Sequence, residues 1–176
     1  MNYRHAFHAG NFADVLKHAA LIGLLDALQA KPAALCYVDT HAARGMYDLR
    51  GEQASKTLEH ADGVQRLLDA PALPMALQRY VDVVRTFQPP GESGVICYPG
   101  SPLIAQRLLR EQDRAILCEL QEEEAAALRK AHEKFTKRFE KVEAALEKRG
   151  SSVHQSNLEE MDAIWQEIKH DSAKRT

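Results

Sequence analysis

Ala33-Ala34-Leu35-Cys36-Tyr37-Val38, followed by Asp39-Thr40-His41-Ala42-Ala43-Arg44-Gly45, is the stretch that decides the fold. The apolar run is too short for a buried helix and reads as a central parallel strand. The small-residue loop behind it is what such a strand opens into when a ligand must approach the backbone closely. Upstream, Asn11 to Gln29 carries Phe12, Val15, Leu16, Ala19, Ile22 and Leu25 at helical spacing and stops at Lys31-Pro32. Downstream, residues 53–70 and 73–88 read as helices, separated by Pro71 and Pro74 and ended by Pro89-Pro90-Gly91. Val95 to Tyr98 reads as a short strand. Pro99-Gly100-Ser101-Pro102 then opens a helix to about Glu111, with Ser101 as N-cap and Pro102 at its first position. Ala115 to Cys118 reads as a second buried strand, ending in Glu119. The expected class is α/β: an incomplete doubly wound, Rossmann-like sheet with a helical insertion over about 51–90.

After Glu119 the character of the chain changes. All seven prolines lie at or before Pro102, and of nine glycines only Gly150 lies beyond Gly100. Glu122 to Arg149 repeats Leu128, Phe135, Phe139, Val142 and Leu146 on one face, which predicts a long amphipathic helix broken at Gly150-Ser151-Ser152. Asn157 with Glu160 suggests a capped second helix, whose stripe is Leu158, Met161, Ile164, Trp165 and Ile168. The tail is thus expected to be helical.

With 176 residues and a net charge of −2, the chain is long enough for a core and has no bulk charge to attract nucleic acid. Any RNA contact has to come from a local patch. The strongest apolar stretch, Ala19 to Leu25, is too short for a membrane span, and the opening residues form no secretory signal. Cys36, Cys97 and Cys118 lie in apolar runs, which predicts buried, reduced thiols in a cytoplasmic protein.

Two groups of residues suggest chemistry. The Asp39–Gly45 loop, with Glu119 ending a neighbouring strand, fits a nucleoside ligand whose ribose hydroxyls donate to the carboxylate. S-adenosylmethionine fits better than a dinucleotide, since the loop lacks the third glycine that cradles a pyrophosphate. A plain turn with an acidic residue is the competing reading. Tyr3, Arg4, His5, His8 and His18 form a second group. It lacks cysteine or carboxylate ligands at zinc spacing, and it suits contacts to phosphates and bases, or a solvated arm.

Four stretches carry a more specific likeness: Tyr3-Arg4-His5-Ala6-Phe7-His8-Ala9-Gly10-Asn11-Phe12-Ala13-Asp14-Val15-Leu16-Lys17-His18, Asp39-Thr40-His41-Ala42, Tyr98-Pro99-Gly100-Ser101-Pro102-Leu103-Ile104-Ala105 and Leu109-Arg110-Glu111-Gln112-Asp113. They closely resemble the RlmJ family, S-adenosylmethionine-dependent methyltransferases acting on an adenine N6 of 23S ribosomal RNA. The resemblance runs from residue 1 to about 128. It implies that His18, His41, Ser101 and Glu119 contact the methyl donor and that Tyr3 contacts the RNA. Ala43 stands where that family usually has glycine. The resemblance also implies a catalytic Asp-Pro-Pro-Tyr after a later strand. The one Pro-Pro here, Pro89-Pro90, lies upstream of Ser101 between Gln88 and Gly91. No catalytic residue is therefore assigned, and little or no turnover is expected.

Residues 129–176 look like the C-terminal end of MazG-type nucleoside triphosphate pyrophosphohydrolases, with the joint near 127–131. The likeness rests on Ala127 to Phe139, Val142-Glu143 and Leu158 to Lys169. It implies nucleotide contacts at Lys134, Arg138, Trp165 and Lys169, although Trp165 packing on Phe135 and Phe139 is the simpler reading. That family's magnesium-binding carboxylates are absent, so no metal site is expected; Glu122-Glu123-Glu124 reads as a solvated helix start. The alternative is a non-catalytic helical interaction or nucleotide-binding fragment, and self-association through exposed strand edges and unseated helical stripes is expected if the chain folds.

Overall fold

The structure, a computed structural model, describes residues 4–89, 94–152, 156 and 158–173. A 3-10 turn at His5–Phe7 leads into helix α1 (Phe12–Gln29), strand β1 (Cys36–Asp39) and strand β2 (Met46–Asp48). Helix α2 (Glu52–Thr57), a π-helical segment (Ala61–Gln65), the single turn α3 (Arg66–Leu68) and α4 (Met75–Thr86) follow. Then come β3 (Cys97–Pro99), α5 (Ser101–Leu108), β4 (Arg114–Leu117), α6 (Glu122–Lys148) and α7 (Leu158–Ala173).

The class is mixed α/β, but the described strands do not form one sheet. β1 pairs in parallel with β4, from Cys36 beside Arg114 to Asp39 beside Leu117. β3 does not join them; it pairs antiparallel with β2, placing Tyr47 opposite Tyr98. Three-residue β2 is too short to leave a periodic signal, which is why the sequence reading passed over it.

The expected helix over 53–70 is broken. Leu58 adopts a left-handed φ of 54°, and Gly63 leaves helical geometry where the chain crosses the N-terminal loop. There Val64 N–H donates to the Gly10 carbonyl at 2.9 Å, and a Cβ on Gly63 would lie 2.1 Å from that oxygen. Only glycine permits this crossing.

α1 starts where Asn11 Oδ1 accepts the Asp14 amide at 3.0 Å, a side-chain N-cap. Its buried face is Asp14, His18, Ile22 and Leu25, not the expected Phe12 and Leu16, which are 76% and 71% exposed. Ile22 joins Tyr47, Val64, Tyr80, Val84, Tyr98 and Ile104 in the main core, between α1, α4, α5 and the β2–β3 pair. A second cluster, Val142, Leu146, Ile164 and Trp165, seats the stripes of α6 and α7 on each other. Those stripes are therefore partnered, contrary to expectation.

The strands β1 and β4 are less covered than their apolar sequences suggest. Cys36 and Cys118 are exposed, Cys97 is half-buried, and Val38 and Ile116 are 54% and 53% exposed. Alternation explains it: the paired strands put Tyr37, Asp39 and Leu117 on one face and Cys36, Val38 and Ile116 on the other, which no described element covers. The expectation of buried thiols is thus corrected. Among the described residues, no helix is long and apolar enough to cross a membrane.

Candidate functional site

The end of β1 and the end of β4 are stitched together by backbone and carboxylate hydrogen bonds. Cys118 N–H donates to the Asp39 carbonyl at 2.8 Å, and Ala42 N–H donates to the Cys118 carbonyl at 3.0 Å. Glu119 then bridges the two strand ends: Oε2 accepts the Ala43 amide at 2.8 Å and Oε1 the Gln121 amide at 2.7 Å. Each oxygen keeps a lone pair for a further donor, as a ribose diol requires. Ala43 carries a left-handed φ of 51°, a conformation that costs a residue with a Cβ about 1–2 kcal/mol.

Asp39 is the hub on the β1 side. Its carboxylate accepts the Tyr37 phenol at 2.8 Å, the Ser101 hydroxyl at 2.6 Å and the His41 amide at 3.0 Å. Ser101 is free to do this because it is not the N-cap of α5. Gly100 holds that position, and its amide donates to the Gly45 carbonyl at 2.6 Å. The expected Ser101 cap is thus replaced by a side chain aimed at the loop. His41 itself is exposed, with Nδ1 2.9 Å from Thr40 Oγ1.

His18 approaches from α1. Its Nδ1 lies 2.9 Å from the Tyr98 hydroxyl, which in turn lies 3.1 Å from the Tyr80 hydroxyl, and its ring stacks on Tyr98 with centroids 5.6 Å apart. Burial pulls its pKa down to about 4, so the imidazole is neutral at neutral pH; it also senses the Asp39 charge. One turn earlier, fully buried Asp14 accepts His5 Nε2 at 2.8 Å and the Gly10 amide at 3.0 Å, and pairs with Lys17 at 2.9 Å. Burial alone would raise the Asp14 carboxyl, but His5 and Lys17 together hold it well below the usual carboxylate range. These contacts fasten the N-terminal segment; Tyr3 lies outside the described residues.

The loop is also gripped from the tail. Arg44 forks onto Glu124 of α6, Nε to Oε2 at 2.8 Å and Nη2 to Oε1 at 2.5 Å, and lies 5.9 Å over the Tyr47 ring. Glu124 is therefore not a solvated helix start. Leu128, one turn on, packs against Gly45, whose φ of 76° suits glycine. No metal-binding cluster occurs among the described residues.

The structure thus brings His41 and Ser101 together on Asp39, sets Glu119 beside the same loop, and buries His18 within reach of the Asp39 charge. Sequence reasoning missed Asp39, Tyr98 and Asp14 as organising residues. Their signal in the sequence is their place in the same motifs that hold His41, Ser101 and His18. A separate cleft of about 280 Å³, lined by Arg44, Tyr47, Asp48 and Glu52 among others, contains none of the four expected donor contacts.

In the tail, Trp165 is buried with Val142, Leu146 and Ile164, and the Arg138 guanidinium lies 5.7 Å over its ring. Both groups are engaged with each other. Lys134 is exposed, and the side chain of Lys169 lies outside the described residues.

Residues 32–156 match the family model described as "Ribosomal RNA large subunit methyltransferase D, RlmJ". The chain belongs to the RlmJ family. Because the match runs to residue 156, it takes in α6 and passes the joint expected near 127–131. The MazG-type resemblance of the tail gains no support from it. The Ribosomal RNA large subunit methyltransferase J of Escherichia coli (strain K12) is 42% identical over 144 residues, 81% of this chain and 51% of that protein. The protein of the same name from Haemophilus influenzae is 43% identical over 129 residues, 73% of this chain and 46% of that protein. A crystal structure of a Legionella pneumophila protein superposes with a TM-score of 0.63 at 41% identity, over 70% of this chain and 44% of that one. The chain spans about half the length of these curated RlmJ relatives.

Proposed function

We propose that this chain carries the methyl-donor site of an S-adenosylmethionine-dependent methyltransferase acting on an adenine N6 of 23S ribosomal RNA in the cytoplasm. The observation that carries the reading is the joined ends of β1 and β4, where Glu119 holds the Ala43 amide and Asp39 holds the Ser101 hydroxyl and the His41 amide. S-adenosylmethionine supplies an electrophilic methyl group when bound. The chain's own residues do the holding. Glu119, fixed by two amides, takes the ribose hydroxyls, and His41 lies exposed beside the loop. His18 is kept neutral and so would add no positive charge to the site of a cationic donor. Tyr3 contacts the RNA in this reading, and the segment that follows it is fastened through Asp14. For α6 and α7 we infer packing and loop support through Glu124 and Leu128, in place of nucleotide contacts at Lys134, Arg138, Trp165 and Lys169. The doubly wound sheet of the full family is part of the same reading, with β1 and β4 as two of its strands.

Radiolabelled S-adenosylmethionine with unmodified 23S RNA tests it. Saturable donor binding is expected, with little transfer, since the sequence holds no Asp-Pro-Pro-Tyr to seat the adenine amine. Absence of donor binding would overturn the reading.

A second reading, a self-associating helical module, has its own support. Phe12, Leu16, Ala20, Leu24 and Leu28 form an exposed ridge along α1, and Val38 with Ile116 leaves an open strand face. Light scattering decides it: a monodisperse monomer at tens of micromolar would sink self-association.

A further inference from the structure

The chain as a whole has a net charge of −2, so a polyanion has to meet a local patch, and the outer face of α6 carries one. Lys130, Lys134, Lys137, Lys141 and Lys148 follow one another at intervals of four, three, four and seven residues. At about 3.6 residues per turn, those intervals keep all five within roughly 40° of one line along the helix. All five are exposed, and among the described residues no ion pair holds any of them. Buried Leu128, Val142 and Leu146 lie on the opposite side of α6, so the lysine line faces solvent. The nearest acids, Glu133 and Glu140, stand roughly 60° and 80° to one side of it.

Such a line is unfavourable to a helix by itself. Lysines three and four apart repel each other, and a face made only for water interleaves the two signs. The line is about 27 Å long at about 1.5 Å per residue, which suits a chain of phosphates and exceeds the single nucleotide that the tail's resemblance implies at Lys134. A membrane surface fits less well, because an interfacial helix sets exposed apolar residues beside its basic ones. Here the apolar side of α6 is seated on α7 and on Gly45. The line also starts near the proposed site, since Glu124 holds Arg44 and Leu128 packs on Gly45, and it runs outward from there.

We propose that this face of α6 is a docking surface for the phosphate backbone of RNA, held as a polyanion without readout of its bases. The inference rests on the RNA substrate of the reading above and assigns α6 to the strand that flanks the target.

Fluorescence titration of a labelled single-stranded RNA with the full chain, over a range of salt, tests it. Lys130→Gln combined with Lys137→Gln and Lys141→Gln is compared with Lys31→Gln combined with Lys56→Gln and Arg66→Gln, which removes three exposed cations elsewhere. Glutamine matches lysine in helix propensity, so circular dichroism should read an unchanged helix content. The α6 variant is expected to bind RNA about tenfold more weakly at about 0.1 M salt, with the slope of log K against log salt shallower by about 2, near 0.7 for each lysine lost. The other variant should stay within about twofold. Equal weakening by both variants would mean a bulk charge effect and overturns the proposal. RNA binding left intact by the α6 variant overturns it too and leaves the RNA reading standing. Binding to phosphatidylserine vesicles that is lost in the α6 variant, with RNA binding unchanged, would identify a membrane surface instead. If the unsubstituted chain binds no RNA, the RNA reading falls and this inference with it, while donor binding is decided separately by dialysis.

Discussion

Helix α1 and the α6–α7 pair differ in what they bury. In α6 and α7 the apolar stripes face inward, and Val142, Leu146 and Ile164 are almost wholly buried. In α1 two polar side chains, Asp14 and His18, share the inside with Ile22 and Leu25, and the large apolar residues Phe12 and Leu16 lie outside. Hydrophobic burial suffices to hold the first arrangement. The second stands only because each buried polar group has a partner: His5, Gly10 and Lys17 for Asp14, and Tyr98 for His18. The tail is held by area alone, and the front by its core together with this network.

The contrast predicts how each region breaks. Asp14→Ala, which strands His5, Lys17 and the Gly10 amide, is expected to cost about 3–5 kcal/mol in urea unfolding. A loss below 1 kcal/mol, on the order of an exposed pair, would show that the network does not hold the front. Leu146→Ala in the tail should cost about 2–5 kcal/mol through its cavity, with no change in the pH dependence of stability.

That pH dependence belongs to the front. His18 has its folded pKa lowered to about 4 from 6.5, so its contribution is present above pH 6.5 and is lost as pH falls toward 4. The loss is on the order of 3 kcal/mol for a shift of that size, at about 1.4 kcal/mol per unit. Asp14, lowered from 3.8, adds a further loss at still lower pH. His18→Gln should flatten the stability curve between pH 6.5 and 4.5; an unchanged slope would mean that His18 is not buried neutral. The smallest effect is a gain: Ala43→Gly relieves the left-handed backbone and should stabilise the chain by about 1 kcal/mol in thermal unfolding.

The same contrast explains what could be read in the sequence. α6 spans Glu122–Lys148, almost as its periodicity and lack of proline predict, because a helix held by an apolar stripe leaves that stripe in the sequence. The run before Asp39 became β1 and the run before Glu119 became β4, with the loop between them where expected. α1 was located correctly, and Val15, Ala19, Ile22 and Leu25 face the core as expected, but Phe12 and Leu16 do not, since periodicity counts apolar residues and gives no weight to a buried aspartate with three partners. The break at Gly63 and the Ser101–Asp39 bond depend on residues far apart in sequence, Gly10 with Gly63 and Asp39 with Ser101. Local spacing carries no trace of either. Within the site, residue types were legible and their connections were not.

The central claim is that the joined ends of β1 and β4 hold the methyl donor, with Glu119 on the ribose. Equilibrium dialysis of labelled S-adenosylmethionine against the chain and its Glu119→Ala and Lys134→Ala variants tests it most directly. Saturable binding that weakens about tenfold or more in Glu119→Ala and is unchanged in Lys134→Ala is the predicted result. Binding untouched by Glu119→Ala, or diminished only by Lys134→Ala, would contradict it.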